Sequence, residues 1–142
     1  MNDMTKIKNL TFIGAYENLA SEDYCDRMIK SFDKLEKNCS ASSGAMTNGE
    51  GNRKDFSFYF DDERNNTLQY YSKVIKVQRT PPKGGFHAWH REHGVGEISH
   101  RILVWTIYLN DIPQGEGETE FLEYGMKVQP KKGTVCFFPA GF

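Results

Sequence analysis

An excess of charge of either sign is missing from this 142-residue sequence: 18 Lys and Arg stand against 19 Asp and Glu, a formal net charge of -1. Without a basic surplus there is no electrostatic footprint for nucleic acid or for an anionic membrane surface. Long apolar runs are missing as well. The longest, Ile102 to Leu109, is eight residues with Thr106 inside it, far short of the roughly 20 that cross a bilayer as a helix. The stretch from Met1 to Leu10 is polar and has no apolar signal core. Cysteine is sparse and unpaired in pattern: Cys25, Cys39 and Cys136 are odd in number, widely spaced and form no C-x-x-C. That argues against a disulfide framework and against a thiolate zinc site, and it suits a reducing, cytoplasmic setting.

Aromatic residues, by contrast, are plentiful. Ten Phe and seven Tyr, within a composition 38% hydrophobic and 26% charged, suit one compact domain over residues 1–142 with a β-rich core. Ser21 followed by Glu22 and Asp23 predicts a helix N-terminus, with a side-chain cap and acidic residues in the first turn. Cys25, Met28, Ile29, Phe32 and Leu35 recur at three and four, which makes one buried stripe closing near Asn38. Residues 40–52 contain three glycines and almost nothing to bury, and read as a mobile surface loop. Phe56, Phe58 and Phe60 alternate with Ser57 and Tyr59 as in a strand, Thr67 to Tyr71 suits a short helix, and Lys73 to Arg79 suits a strand that breaks at Pro81-Pro82. Beyond it the chain reads as strands at 86–92, 101–109, 118–122, 125–129 and 134–138, separated by glycine turns. One leading helix and many short strands imply a sandwich or barrel of mainly β (α+β) class.

The chemistry concentrates in Gly84-Gly85-Phe86-His87-Ala88-Trp89-His90-Arg91-Glu92. In a strand, His90 and Glu92 share a face while Arg91 points away. An imidazole and a carboxylate so placed are two parts of a 2-His-1-carboxylate iron site, whose open positions receive oxygen and a co-substrate. Two polar residues on one strand face are also a common solvated pair, so the pair gains meaning only from the downstream sequence. Downstream lie, in order, Arg101-Ile102-Leu103-Val104-Trp105-Thr106-Ile107-Tyr108-Leu109-Asn110-Asp111, Gly117-Glu118-Thr119-Glu120-Phe121, Val128-x-Pro130-Lys131-Lys132-Gly133, and Phe138-Pro139-Ala140-Gly141.

This ordered set, over about residues 74–142, resembles the iron(II)- and 2-oxoglutarate-dependent dioxygenases of the prolyl 4-hydroxylase type. The resemblance implies a double-stranded β-helix (jelly roll) with a leading N-terminal helix. It implies Fe(II) held by His90 and Glu92, and 2-oxoglutarate beside the Tyr108 hydroxyl and Thr119, with ascorbate as a further candidate. Gln78 and Thr80 are weaker candidates for lining that pocket. The substrate would be a peptide, plausibly at proline, or a small molecule. Taken singly, Tyr108 also reads as a core tyrosine with a satisfied hydroxyl and Thr119 as a strand filler.

Three departures from the family pattern stand out. Glu92 replaces the usual aspartate and adds one methylene. The aromatic before the first ligand is shifted by one place. The distal histidine and the cation for the keto acid, which relatives place beyond a motif like Phe138 to Phe142, have no counterpart. The expected domain is thus incomplete at its C-terminus, impaired in turnover, and left with an unpaired strand edge open to self-association. His87 and His93 are expected on the opposite strand face, and His100 reads as a surface histidine. Two rivals stay open: a noncatalytic jelly-roll fragment used for binding or assembly, and a cupin-like enzyme with zinc or manganese, since a fold does not fix chemistry.

Overall fold

A computed structural model describes residues 6–10, 12–38, 42–43, 56–61 and 74–141. The chain divides into two compact units, one from Met1–Ile29 with Trp89–Phe142, the other from Lys30–Ala88. The fold is α+β, mostly β, with antiparallel sheets.

In the first unit, β1 (Lys6–Leu10) and β2 (Ile13–Tyr16) form a hairpin ahead of α1 (Glu22–Asn38). The expected leading helix therefore comes after a pair of strands. α1 starts where its cap dictates: the Tyr24 N–H donates to Ser21 Oγ at 3.2 Å, satisfying one amide that the helix leaves without a carbonyl. The sheet continues through β9 (Val135–Pro139) to β6 (Leu103–Ile107), in the order β1-β2-β9-β6. β9 pairs antiparallel on both sides, with Ala15 opposite Cys136 and Trp105 opposite Phe137.

Beyond the ends of β6, the Tyr108 N–H donates to the Thr134 carbonyl and the Ala140 N–H to the Ile102 carbonyl. Even-numbered residues of β6 therefore face β9, while Leu103, Trp105 and Ile107 turn their backbone groups outward. Pro139 lies opposite Leu103, where no bond to β6 is called for.

A second hairpin joins β7 (Thr119–Phe121) to β8 (Met126–Val128). Its inward residues Phe121 and Val128 share one apolar core with Ile13, Ala15, Cys136 and Phe138, and Val104, Tyr108, Tyr124 and Met126 pack against it. Phe121 and Phe138 meet edge to face at 5.0 Å between ring centroids, the arrangement that ring quadrupoles favour. Alternation along β6, β7, β8 and β9 supplies this core, as period two requires.

The second unit contains β3 (Ser42–Ser43), β4 (Phe56–Asp61) and β5 (Val74–Arg79) in that order, with Phe58 opposite Val77. The Arg79 guanidinium pairs with Asp33 and Glu36 and stacks 4.7 Å from the centroid of the buried Phe32 ring. Two residues of the expected 40–52 loop are thus in a strand; the rest of it, and the helix expected at 67–71, lie outside the described residues.

The strand expected at 86–92 is replaced. Only Phe86 makes a bridge, and residues 87–91 are irregular. The alternation there is one of polar types, and Pro81, Pro82, Gly84 and Gly85 precede it, with Gly85 at φ +142°. Such a segment gains little from a ladder. Among the described residues no helix is long and apolar enough to cross a membrane.

Candidate functional site

All four residues singled out from the sequence belong to the first unit, where they form two pairs. His90 and Glu92 lie in the irregular segment before the 3-10 turn Gly96–His100. His90 Nε2 stands 3.3 Å from Glu92 Oε1, with the His90 side chain 45% exposed and that of Glu92 35% exposed. The pairing expected of strand neighbours is present without the strand. A carboxylate only accepts, so in this contact Nε2 carries the proton.

The other carboxylate oxygen is taken as well. Arg101 Nη1 donates to Glu92 Oε2 at 3.1 Å and approaches the Glu92 backbone carbonyl at 3.4 Å. Arg101 reaches this position because the intervening loop is closed on itself. The His93 N–H donates to the Ala140 carbonyl at 2.8 Å, the His93 ring Nε2 to the Ser99 carbonyl at 2.7 Å, and Ser99 Oγ to the Gly96 carbonyl at 2.7 Å. The Arg101 N–H closes the turn on the Ile98 carbonyl at 3.3 Å. No sequence pattern marks Arg101 as a partner of Glu92; its only signal is an opposite charge nine residues away.

Tyr108 and Thr119 form the second pair, with the Tyr108 hydroxyl donating to Thr119 Oγ1 at 2.6 Å. Burial pushes the Tyr108 phenol up to about 12; the hydrogen bond to Thr119 acts the other way and is outweighed. Tyr108 is therefore a neutral hydroxyl at physiological pH. Thr119 is placed by β7, and the turn before β7 is held by Gln129, whose Oε1 accepts from the Gly115 N–H at 2.9 Å while Nε2 donates to the Ile112 carbonyl at 3.0 Å. Gln129 was not legible as a site residue. An amide with both ends bonded to backbone is a fastening rather than a reactive group.

Of the remaining candidates, Gln78 and Thr80 are exposed and belong to the second unit, as does His87. His100 is exposed at the end of the 3-10 turn. Cys25 and Cys136 are buried and unbridged, and burial lifts the Cys136 thiol to about 11. Among the described residues no three His, Cys, Asp or Glu side chains gather closely enough to hold a metal ion.

The donor set present fits two positions of an iron(II) site. Two donors at about 2.0–2.2 Å from one ion and at right angles lie about 3 Å apart, and His90 Nε2 and Glu92 Oε1 are near that spacing. Imidazole and carboxylate are the donor types such an ion takes.

About a third of this chain is similar to a prolyl 4-hydroxylase. It is 44% identical over 55 residues to prolyl 4-hydroxylase subunit alpha-1 of Gallus gallus, covering 36% of this chain and 10% of that protein. The same subunit from Rattus norvegicus and from Mus musculus is 46% identical over 48 residues, covering 34% of this chain and 8% of each relative. The match thus spans about a tenth of the length of these prolyl 4-hydroxylase subunits. No family model matches the sequence.

Proposed function

We propose that the chain is an oxygenase of the double-stranded β-helix type, dependent on iron(II) and 2-oxoglutarate, that hydroxylates a peptidyl substrate, with proline the foremost candidate. The observation that carries the reading is the 3.3 Å pairing of His90 Nε2 with Glu92 Oε1, in a chain partly similar to prolyl 4-hydroxylase subunits. When bound, iron(II) and the keto acid supply the oxidising chemistry that amino-acid side chains lack, with ascorbate as an accessory reductant.

His90 and Glu92 hold the ion in this reading. To hold the ion, His90 would take the neutral tautomer that carries its hydrogen on Nδ1, leaving the Nε2 lone pair to face the cation. Tyr108, neutral at physiological pH, donates its hydroxyl hydrogen bond to Thr119, so the Thr119 hydroxyl hydrogen would be left to donate to a keto-acid carboxylate. Partial burial of this pair limits the competition of water for it. With two side-chain donors identified, iron binding is weak and turnover poor. The buried, unbridged Cys25 and Cys136 support a reducing, cytoplasmic setting.

The noncatalytic reading has one observation in its favour: both oxygens of Glu92 already have protein partners. An anaerobic titration with iron(II) and 2-oxoglutarate separates the two. The expected result is a visible charge-transfer band from the chelated keto acid that is lost in His90→Ala and in Glu92→Ala. No band at any iron concentration overturns the oxygenase reading for this chain.

A further inference from the structure

The two oxygens of Glu92 have different surroundings: Oε1 faces the imidazole of His90 at 3.3 Å, and Oε2 faces the guanidinium of Arg101 at 3.1 Å. A glutamate has one more rotatable bond than an aspartate and loses more side-chain freedom when fixed. It needs something to fix it. Arg101 is suited to that task, because its planar, permanently charged fork bonds carboxylates directionally. It is itself fixed by its flanking backbone: its N–H is bonded to the Ile98 carbonyl, and the carbonyl of the next residue, Ile102, accepts from the Ala140 N–H at 3.0 Å.

From this geometry we infer that Arg101 is a positioning residue, which holds Glu92 so that only Oε1 is presented, together with His90 Nε2, to a divalent cation. The inference rests on the metal-binding reading of this pair. Its consequence is chemical. A carboxylate binding through both oxygens takes two coordination positions, whereas one whose second oxygen is tied to a guanidinium takes one. The position so spared is available to a chelating co-substrate. Arg101 thereby compensates for the extra methylene of Glu92, replacing the constraint that a shorter side chain has by covalent structure with one supplied by an ion pair.

Charge alone makes the opposite prediction. A guanidinium near the site repels a cation, so on electrostatics its removal tightens binding; if Arg101 positions Glu92, its removal weakens binding. The test is a titration of the purified chain with Co(II) alone, read by its visible absorption at about 0.15 M salt, where exposed charges are well screened. Wild type, Arg101→Gln, Arg101→Lys and His90→Ala are compared, with circular dichroism confirming that each is folded. The expected result is about tenfold weaker Co(II) binding in Arg101→Gln, the scale found when groups that orient metal ligands are lost. It comes with an altered absorption envelope and with recovery of most of the affinity in Arg101→Lys. Equal or tighter binding in folded Arg101→Gln overturns the positioning role and leaves the metal site standing. Wild type that binds Co(II) no better than His90→Ala overturns the metal reading itself, and the role of Arg101 with it.

Discussion

Tyr108 is both a core residue and a hydrogen-bond donor, and its protonation should be visible in the stability of the whole protein. Its phenol is lifted from 10.0 to about 12 by burial. The folded state thus holds this proton over a range in which the unfolded chain has released it. The associated stability is fully present below pH 10 and is lost as pH rises towards and through 12. At about 1.36 kcal/mol per unit, wild type should lose about 2–3 kcal/mol more than Tyr108→Phe over this window. Cys136, lifted from 9.0 to about 11, titrates in an overlapping range in both proteins and is electrostatically coupled to the phenol, so the difference reports Tyr108 together with that coupling. Near pH 7, Tyr108→Phe should cost about 1 kcal/mol for the lost bond to Thr119. Urea denaturation at a series of pH values checks both, and parallel pH curves would remove Tyr108 from this role. At this scale the sequence was legible for residue types and for pairs close along a regular strand. The Arg101–Glu92 contact was not, because it depends on the closure of a loop by backbone hydrogen bonds that many sequences can make.

Elements meet through a few tight points, of which Gly133 is the most demanding. It has φ +80° and is buried, and a Cβ there would stand 2.5 Å from the Ala20 carbonyl oxygen, the residue whose N–H donates to the Gly133 carbonyl at 3.0 Å. Gly133→Ala should therefore cost roughly 3 kcal/mol or more, from left-handed backbone strain together with overpacking. Gly115 has φ +83° with nothing within 4 Å of the added carbon, so Gly115→Ala should cost only the backbone part, about 1–2 kcal/mol. Thermal unfolding of the two variants measures the contact by difference; equal losses would mean that the Ala20 segment yields freely.

The strands carrying Trp105, Phe121, Val128 and Phe138 were readable from period two because one face of each lies in a core. The stretch around His90 alternates in polarity but pairs with no described strand, and alternation alone does not make a ladder. The α1 cap at Ser21 was readable because capping is local chemistry; the β1–β2 hairpin before it depends on a partner, β9, more than a hundred residues away.

For the molecule as a whole, β6 is one edge of the four-stranded sheet. Its outward backbone groups belong to Leu103, Trp105 and Ile107, no described strand pairs with them, and Leu103 and Trp105 are 56% and 38% exposed. An uncharged edge of β-branched and aromatic residues is a template for further pairing. The purified chain should associate with itself in a concentration-dependent way, and Trp105→Lys should suppress this while leaving the fold intact. Light scattering at two concentrations decides it, and a concentration-independent monomer would show that the edge is covered. The pairing order was the least legible level, because period two assigns faces to strands but not neighbours. One consequence of that order concerns time. β9 is the last of the described strands in chain order, yet it sits in the middle of its sheet, between β2 and β6. On the ribosome, the two flanking strands emerge long before the strand that joins them, so this sheet assembles only after synthesis has passed Pro139, and until then the nascent chain keeps its aromatic residues waiting in the open.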